Sequence, residues 1–422
     1  MLDKVKYLII GGGISGLMFA NFVEKDYLIV EKENEVGGYC RTIKNKDFVW
    51  DYAGHFYHFK TEKLKQKFID SIEQDDIVYQ NKCTKICYKD TLIDYPFQSN
   101  IHQLEKQEFI DCLYDLFYKA EKEEYDNFLD MLYGKFGKSI VEKFLKPYNE
   151  KLYATDLKCL DKNAMGRFFP YANLKEIIKN MRQSEDKTSY NNTFLYPKKG
   201  AGAFVQVLYE GLVRENILLE HEVVEVDLRR KMVTLQNGRN IHYEYLINTS
   251  PLNQFLLTLS EDVDTKFKEI LSYNQVLVFN LGFDKKSNFA KEHWLYVPDK
   301  NINFYRVGFY DNILNTDKLI IYVEIGFGKD EKIDVESQFK FTLENLKMLG
   351  IVSEDMKLEQ YCSLIMSPAY VHISKESEQK VKEFMRAINE KDVYSIGRYG
   401  GWKYCSMEDC MLEAMVLADR LK

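Results

Sequence analysis

Three glycines in the run Gly11-Gly12-Gly13-Ile14-Ser15-Gly16 stand at the spacing that lets a backbone turn tightly against a phosphate. The apolar, β-rich run Val5 to Ile10 precedes them, and Leu17 to Val23 has helical character. A strand that breaks at such a turn and opens a helix offers free backbone N–H groups and a positive dipole end. That is anion-binding chemistry. A second short strand, Tyr27 to Val30, ends on Glu31. An acid placed about twenty residues after the first glycine can accept from ribose hydroxyls. Strand, turn, helix, strand and acid agree. The first expectation is a dinucleotide held at Gly11, Gly13, Ile14, Ser15 and Gly16, with Glu31 at its ribose and Lys32 among the cofactor-binding residues.

The elements that would position this site alternate in kind. From about Gln103 to Arg182 the pattern is helical, with Phe109, Cys112, Leu113, Leu116 and Phe117 at spacings of three and four. Short β-rich runs follow at Glu222 to Asp227, Lys231 to Gln236 and Tyr245 to Asn248, with a turn signal at Asn237-Gly238. Further strands are expected at Val276 to Gly282, Phe304 to Phe309 and Leu319 to Ile325, then a helix over 335–348. The chain closes with a strand at Val393 to Ile396, a glycine-rich turn, and a helix from about Glu408 to Leu421.

Composition bounds the chemistry. The 422 residues carry a net charge of −7, which disfavours non-specific nucleic-acid binding. The eight cysteines form no CxxC pair and no zinc spacing, so they read as free thiols in a reducing compartment. No metal site and no Ser/His/Asp arrangement is apparent. No apolar run is long enough to span a membrane, and the N-terminus lacks a signal-peptide pattern, so the expected location is the cytoplasm.

The segment Glu35-Val36-Gly37-Gly38-Tyr39-Cys40-Arg41-Thr42 resembles the second glycine motif of the FAD-dependent family of amine oxidases, protoporphyrinogen oxidase and UDP-galactopyranose mutase. The resemblance implies FAD rather than NAD, with Gly38 and Arg41 near its pyrophosphate and flavin. Within that family the chain is most similar to the mutases, in patches over nearly its whole length. Asp51-Tyr52-Ala53-Gly54-His55 resembles the segment whose histidine lies over the flavin, with Ala53 in place of a glycine. Tyr95-Pro96-Phe97-Gln98-Ser99-Asn100 resembles the segment whose rings and amide hold uracil, implying that role for Tyr95, Phe97 and Gln98. Lys146 to Tyr153 resembles a segment that places Asn149 and Tyr153 beside the nucleotide, Tyr153 standing for a tryptophan. In His293 to Pro298 and Phe304 to Val307, Tyr296 and Arg306 match sugar-phosphate and diphosphate contacts. Tyr370, after Ser367-Pro368-Ala369, matches another diphosphate contact. In Gly397 to Tyr404, Arg398 would lie against the flavin and Tyr404 against the diphosphate. Val223 and Met407, the latter at the start of the last helix, complete the expected cofactor contacts. One position departs: Leu195 stands where the family has a phosphate-binding arginine, and Lys198 or Lys199 is a candidate substitute.

The resemblance implies an α/β fold: a Rossmann-type FAD-binding domain (1–75, 196–255, 390–422), an inserted helical domain (100–190) and an antiparallel β-sheet substrate domain (76–99, 256–389). It implies a pyranose–furanose mutase acting on a nucleotide sugar such as UDP-galactopyranose, with N5 of reduced FAD as the nucleophile and His55, Arg306 and Arg398 as catalytic residues. A reductant is then needed, and a homo-oligomer is left open. The rival reading is an FAD oxidoreductase of the amine-oxidase or protoporphyrinogen-oxidase type. A non-catalytic flavoprotein has only the Leu195 departure in its favour.

Overall fold

A computed structural model describes residues 4–182 and 193–422. The apolar run at the start forms β1 (Lys4–Ile10), followed by helix α1 (Ile14–Val23) and strand β2 (Tyr27–Val30). β1 lies parallel between β2 and the strand Asn240–Asn248. Both faces of a parallel sheet are covered, which is why these strands read as unbroken runs rather than alternations. Asn240–Asn248 also takes the strand Val393–Ser395 in parallel, so segments far apart in the chain share one sheet. The expected turn at Asn237-Gly238 joins antiparallel partners, and Gly238 has the positive φ it needs (81°).

The second sheet runs in the order 358–366, 274–283, 320–328, 306–309, 294–296, 84–88, 91–94. It is antiparallel except where Trp294–Tyr296 meets Thr84–Tyr88. Here alternation is visible and sets which side chains do what. Leu277, Phe279, Leu295, Val307, Ile321, Val323 and Ile325 share a core with Leu346 of the helix Val335–Met348. Their neighbours Val276, Trp294, Tyr296, Arg306 and Glu324 take the other face and line a cavity. A slip of one residue would exchange the two sets.

Residues 103–182 are helical, without a strand, as expected. The main helices are Lys106–Phe117, Phe128–Ile140, Lys146–Tyr153 and Leu174–Arg182. Asn127 caps the second by accepting from the Asp130 N–H at 2.9 Å. Among the pairings absent from the sequence reading are Ile77–Asn81 with Thr193–Pro197, Thr42–Asn45 with Phe48–Asp51, Thr84–Tyr88 with Thr91–Asp94, and that of the edge strand Leu358–Met366.

Candidate functional site

A cavity of about 980 Å³ lies between the two sheets. At one end it meets the glycine turn. A side chain built on Gly13 would touch nothing within 4 Å, so that position faces open space. A Cβ on Gly16 would lie 2.2 Å from the Gly11 carbonyl oxygen, so Gly16 permits the turn itself to close. This divides the motif into one residue that leaves room for a ligand and one that lets the helix approach the strand. Glu31 is almost fully buried and accepts from the N–H of Gly12 (2.7 Å) and of Glu33 (2.9 Å). Each oxygen retains a further acceptor site.

The second glycine segment docks on the first, with the Gly37 N–H donating to the Gly12 carbonyl at 2.8 Å. Arg41 is fixed by its Nε, which donates to the Gly38 carbonyl at 2.8 Å. Gly11, Ile14, Ser15, Lys32, Gly38, Val223 and Met407 also line this half of the cavity. Met407 opens the last helix, whose Ser406 cap is part of a reciprocal capping box with Asp409.

Further along, His55 donates from Nδ1 to the Ala53 carbonyl at 3.0 Å. Burial pushes its imidazole down to about 4, so it is neutral at neutral pH and its Nε2 is an acceptor. Arg398 donates to the Cys405 carbonyl at 3.0 Å and lies over the rings of Tyr404 (4.5 Å) and Tyr370 (5.3 Å). Those two rings stack on each other at 6.0 Å. Among the described residues Arg398 has no carboxylate partner.

Arg306 is placed differently from expectation. Its Nε and Nη2 each donate to Glu324 at 2.7 Å, and Glu324 is 1% exposed. The Nε/Nη2 edge of the guanidinium is therefore already used within the protein, and its charge is balanced there. Arg306 still lines the cavity beside Tyr296, Tyr305 and Tyr370.

The residues expected around uracil and beside the nucleotide do not line the cavity. Phe97 is fully buried and stacked on Phe144 at 5.1 Å. Gln98 is also fully buried; its amide donates to the Pro170 carbonyl, while its Oε1 has no partner. Asn149 donates to the Leu145 carbonyl at 2.6 Å, and the Tyr153 hydroxyl is buried without a partner. Tyr95 meets Tyr296 edge-on at 5.1 Å. None of these five lines the cavity in this conformation.

Leu195 is buried in backbone pairing with Tyr57, and the candidate substitutes do not reach the cavity. Lys198 and Lys199 are exposed, and Lys199 pairs with Asp76 at 2.5 Å. The lysine that lines the cavity on the antiparallel-sheet side is Lys82, which the sequence reading missed, as it did Glu324. Among the described residues no group of three His, Cys, Asp or Glu could hold a metal. No helix among them is long and apolar enough to cross a membrane.

A glycine cradle on a parallel sheet, opening through one cavity onto an antiparallel sheet, defines the fold shared by flavin-dependent mutases and oxidases. Residues 9–71 match the NAD(P)-binding Rossmann-like domain family. A crystal structure of reduced UDP-galactopyranose mutase superposes with a TM-score of 0.92 over 99% of this chain and 93% of that one, at 21% identity. An Exiguobacterium protein provisionally named protoporphyrinogen oxidase gives 0.78 at 17% identity, over 100% of this chain and 99% of that one. At such identities the likeness is one of fold. In sequence, the protoporphyrinogen oxidase of Dictyostelium discoideum is 29% identical over 167 residues, 37% of this chain. The matched part spans 29% of that relative's length.

Proposed function

We propose that the protein is a flavin-dependent pyranose–furanose mutase that binds FAD at the glycine cradle and a nucleotide sugar, such as UDP-galactopyranose, against the antiparallel sheet. The observation that carries this reading is a single cavity joining the cradle to a wall of Arg306, Arg398, Lys82 and four tyrosines. The open space at Gly13 and the free backbone of the turn fit a dinucleotide pyrophosphate. Reduced FAD bound there supplies a nucleophilic nitrogen, N5. The likeness to the mutase in fold supports the assignment.

The chain's own groups then have distinct tasks. Arg398, which has no carboxylate partner among the described residues, would stabilise negative charge on a reduced flavin. Neutral His55 offers an acceptor without adding a competing positive charge. Tyr296, Tyr370 and Tyr404 offer hydroxyl donors to a departing diphosphate, keeping it close enough to return. The reading thus asks for electrostatics and positioning, and for no side-chain nucleophile.

The names among the relatives favour a second reading, an FAD oxidoreductase of the protoporphyrinogen-oxidase type. The two are separated by electron balance. Dithionite-reduced protein should convert UDP-galactopyranose to its furanose isomer with no net consumption of reductant, and oxidised protein should be inactive. Electron consumption in step with turnover, or no isomer from reduced protein, would defeat the mutase reading.

A further inference from the structure

Of the three cations on the antiparallel-sheet side of the cavity, Arg306 is balanced by an acid, whereas Arg398 and Lys82 have no carboxylate partner among the described residues. Arg306, Arg398 and Lys82 all line it. The carboxylate that pairs with any of them among the described residues is Glu324, and both its oxygens are engaged by the Arg306 fork. Lys82 makes no ion pair among the described residues. Its ammonium lies over the rings of Tyr95 at 5.2 Å and Trp294 at 5.6 Å. Such contacts hold an ammonium in place without neutralising it. Burial, and then the nearby Arg306 charge, push the Lys82 ammonium down to about 8. An unpaired ammonium on a desolvated wall is unfavourable until an anion lies against it.

The topology explains why the charge comes from this position. Lys82 directly follows the strand Ile77–Asn81, whose partner is Thr193–Pro197. Tyr79 pairs with Leu195, so the apolar residue and Lys82 belong to the same two-stranded clip. Position 195 supplies no charge, and the two lysines beyond it face away from the cavity. Lys82 is the cation that this clip presents to the cavity.

We propose that Lys82 anchors the diphosphate of the bound nucleotide. This rests on the nucleotide-sugar reading of the site. Arg306 is fixed by Glu324, whereas a lysine is a point charge on a flexible stem with three rotatable donors. Lys82 can follow a diphosphate that leaves the sugar and returns, which a clamped guanidinium cannot do.

The test is UDP and uridine titration of FAD-loaded wild type, Lys82→Met and Lys82→Arg, with FAD content and thermal midpoint checking the fold. Lys82→Met keeps the stem between the two rings and removes the charge. It should weaken UDP at least tenfold, leave uridine and FAD content unchanged, and be partly rescued in Lys82→Arg. Wild type that binds UDP with equal affinity in Lys82→Met would overturn the anchor and leave the mutase reading standing. Wild type that ignores UDP would defeat the nucleotide-sugar reading. Inorganic pyrophosphate then decides the anchor: binding lost in Lys82→Met sustains an anion site, and no binding by wild type removes that too.

Discussion

At the scale of single residues, the glycine motif was legible because its constraints are local. Gly13→Val should fold with an unchanged thermal midpoint yet bind no flavin, because the side chain enters open space meant for the cofactor. Gly16→Val should lower the midpoint itself, because its Cβ meets the Gly11 carbonyl. Flavin absorbance and thermal unfolding on both variants read the two effects separately; equal behaviour would erase the division of labour. The partner of Arg306 was not legible. Glu324 is eighteen positions on, and only the register of Arg306–Phe309 against Ile320–Gly328 brings them opposite. Glu324→Gln leaves a buried guanidinium without its counter-charge, which typically destabilises by about 3–5 kcal/mol. The variant should therefore melt lower without ligand but gain a larger midpoint shift from UDP than wild type does. A smaller UDP shift would mean that Arg306 takes no part in holding the anion.

At the scale of elements, what the sequence made visible followed periodicity. The strands Asn274–Phe283 and Ile320–Gly328 are buried on both faces, one packing on a helix and the other, which carries Asn280 and Glu324, turned to the cavity side. The edge strand Leu358–Met366 was missed for the opposite reason. Its exposed face mixes Glu359, Tyr361, Ser363 and Ile365, so no polar–apolar alternation marks it. The clip of Ile77–Asn81 with Thr193–Pro197 joins segments too distant for any local signal. Several contacts tie the helical region to the site, and in one of them Lys151 donates to the carbonyls of Val297 (2.9 Å), Asp299 (2.7 Å) and Phe304 (2.5 Å). It thereby closes the hairpin that carries Tyr296 and Arg306. Lys151→Met leaves three carbonyls without that donor and should weaken UDP several-fold while FAD content holds. Titration of both ligands checks it, and equal loss of both would mean a general collapse rather than a loosened hairpin.

At the scale of the whole molecule, buried titratable groups set the response to acid. Burial pushes His55, His58, His293 and His372 each down to about 4, below the ordinary histidine value near 6.5. Burial pushes Asp51 and Asp311 up to about 7. As pH falls from about 6.5 to 4, the unfolded chain binds protons at the four histidines that the folded chain refuses, and stability is lost. The two aspartates act in the opposite sense, since their stabilisation is complete at low pH and disappears as pH rises toward 7. Four groups against two leave a net loss on acidification, about 1.4 kcal/mol per pH unit for each unbalanced proton. Cofactor-free protein should accordingly show a thermal midpoint that falls steadily between pH 6.5 and 4.5. A flat profile there would mean the histidines are protonated within the fold.

The strand Val393–Ser395 beside Asn240–Asn248 has a consequence for synthesis. Translation delivers β1 nearly four hundred residues before the strand Val393–Ser395 that joins the same sheet. The last helix, which packs against α1 and receives the Tyr7 hydroxyl at the Leu421 carbonyl (2.7 Å), follows later still. Such long sequence separations make closure slow and leave apolar surface uncovered meanwhile. For most of its elongation the nascent chain carries a cradle it cannot close. Ribosome-stalled chains ending before Asp392 should not retain flavin, so cofactor capture waits until Val393–Ser395 has emerged and joined its sheet.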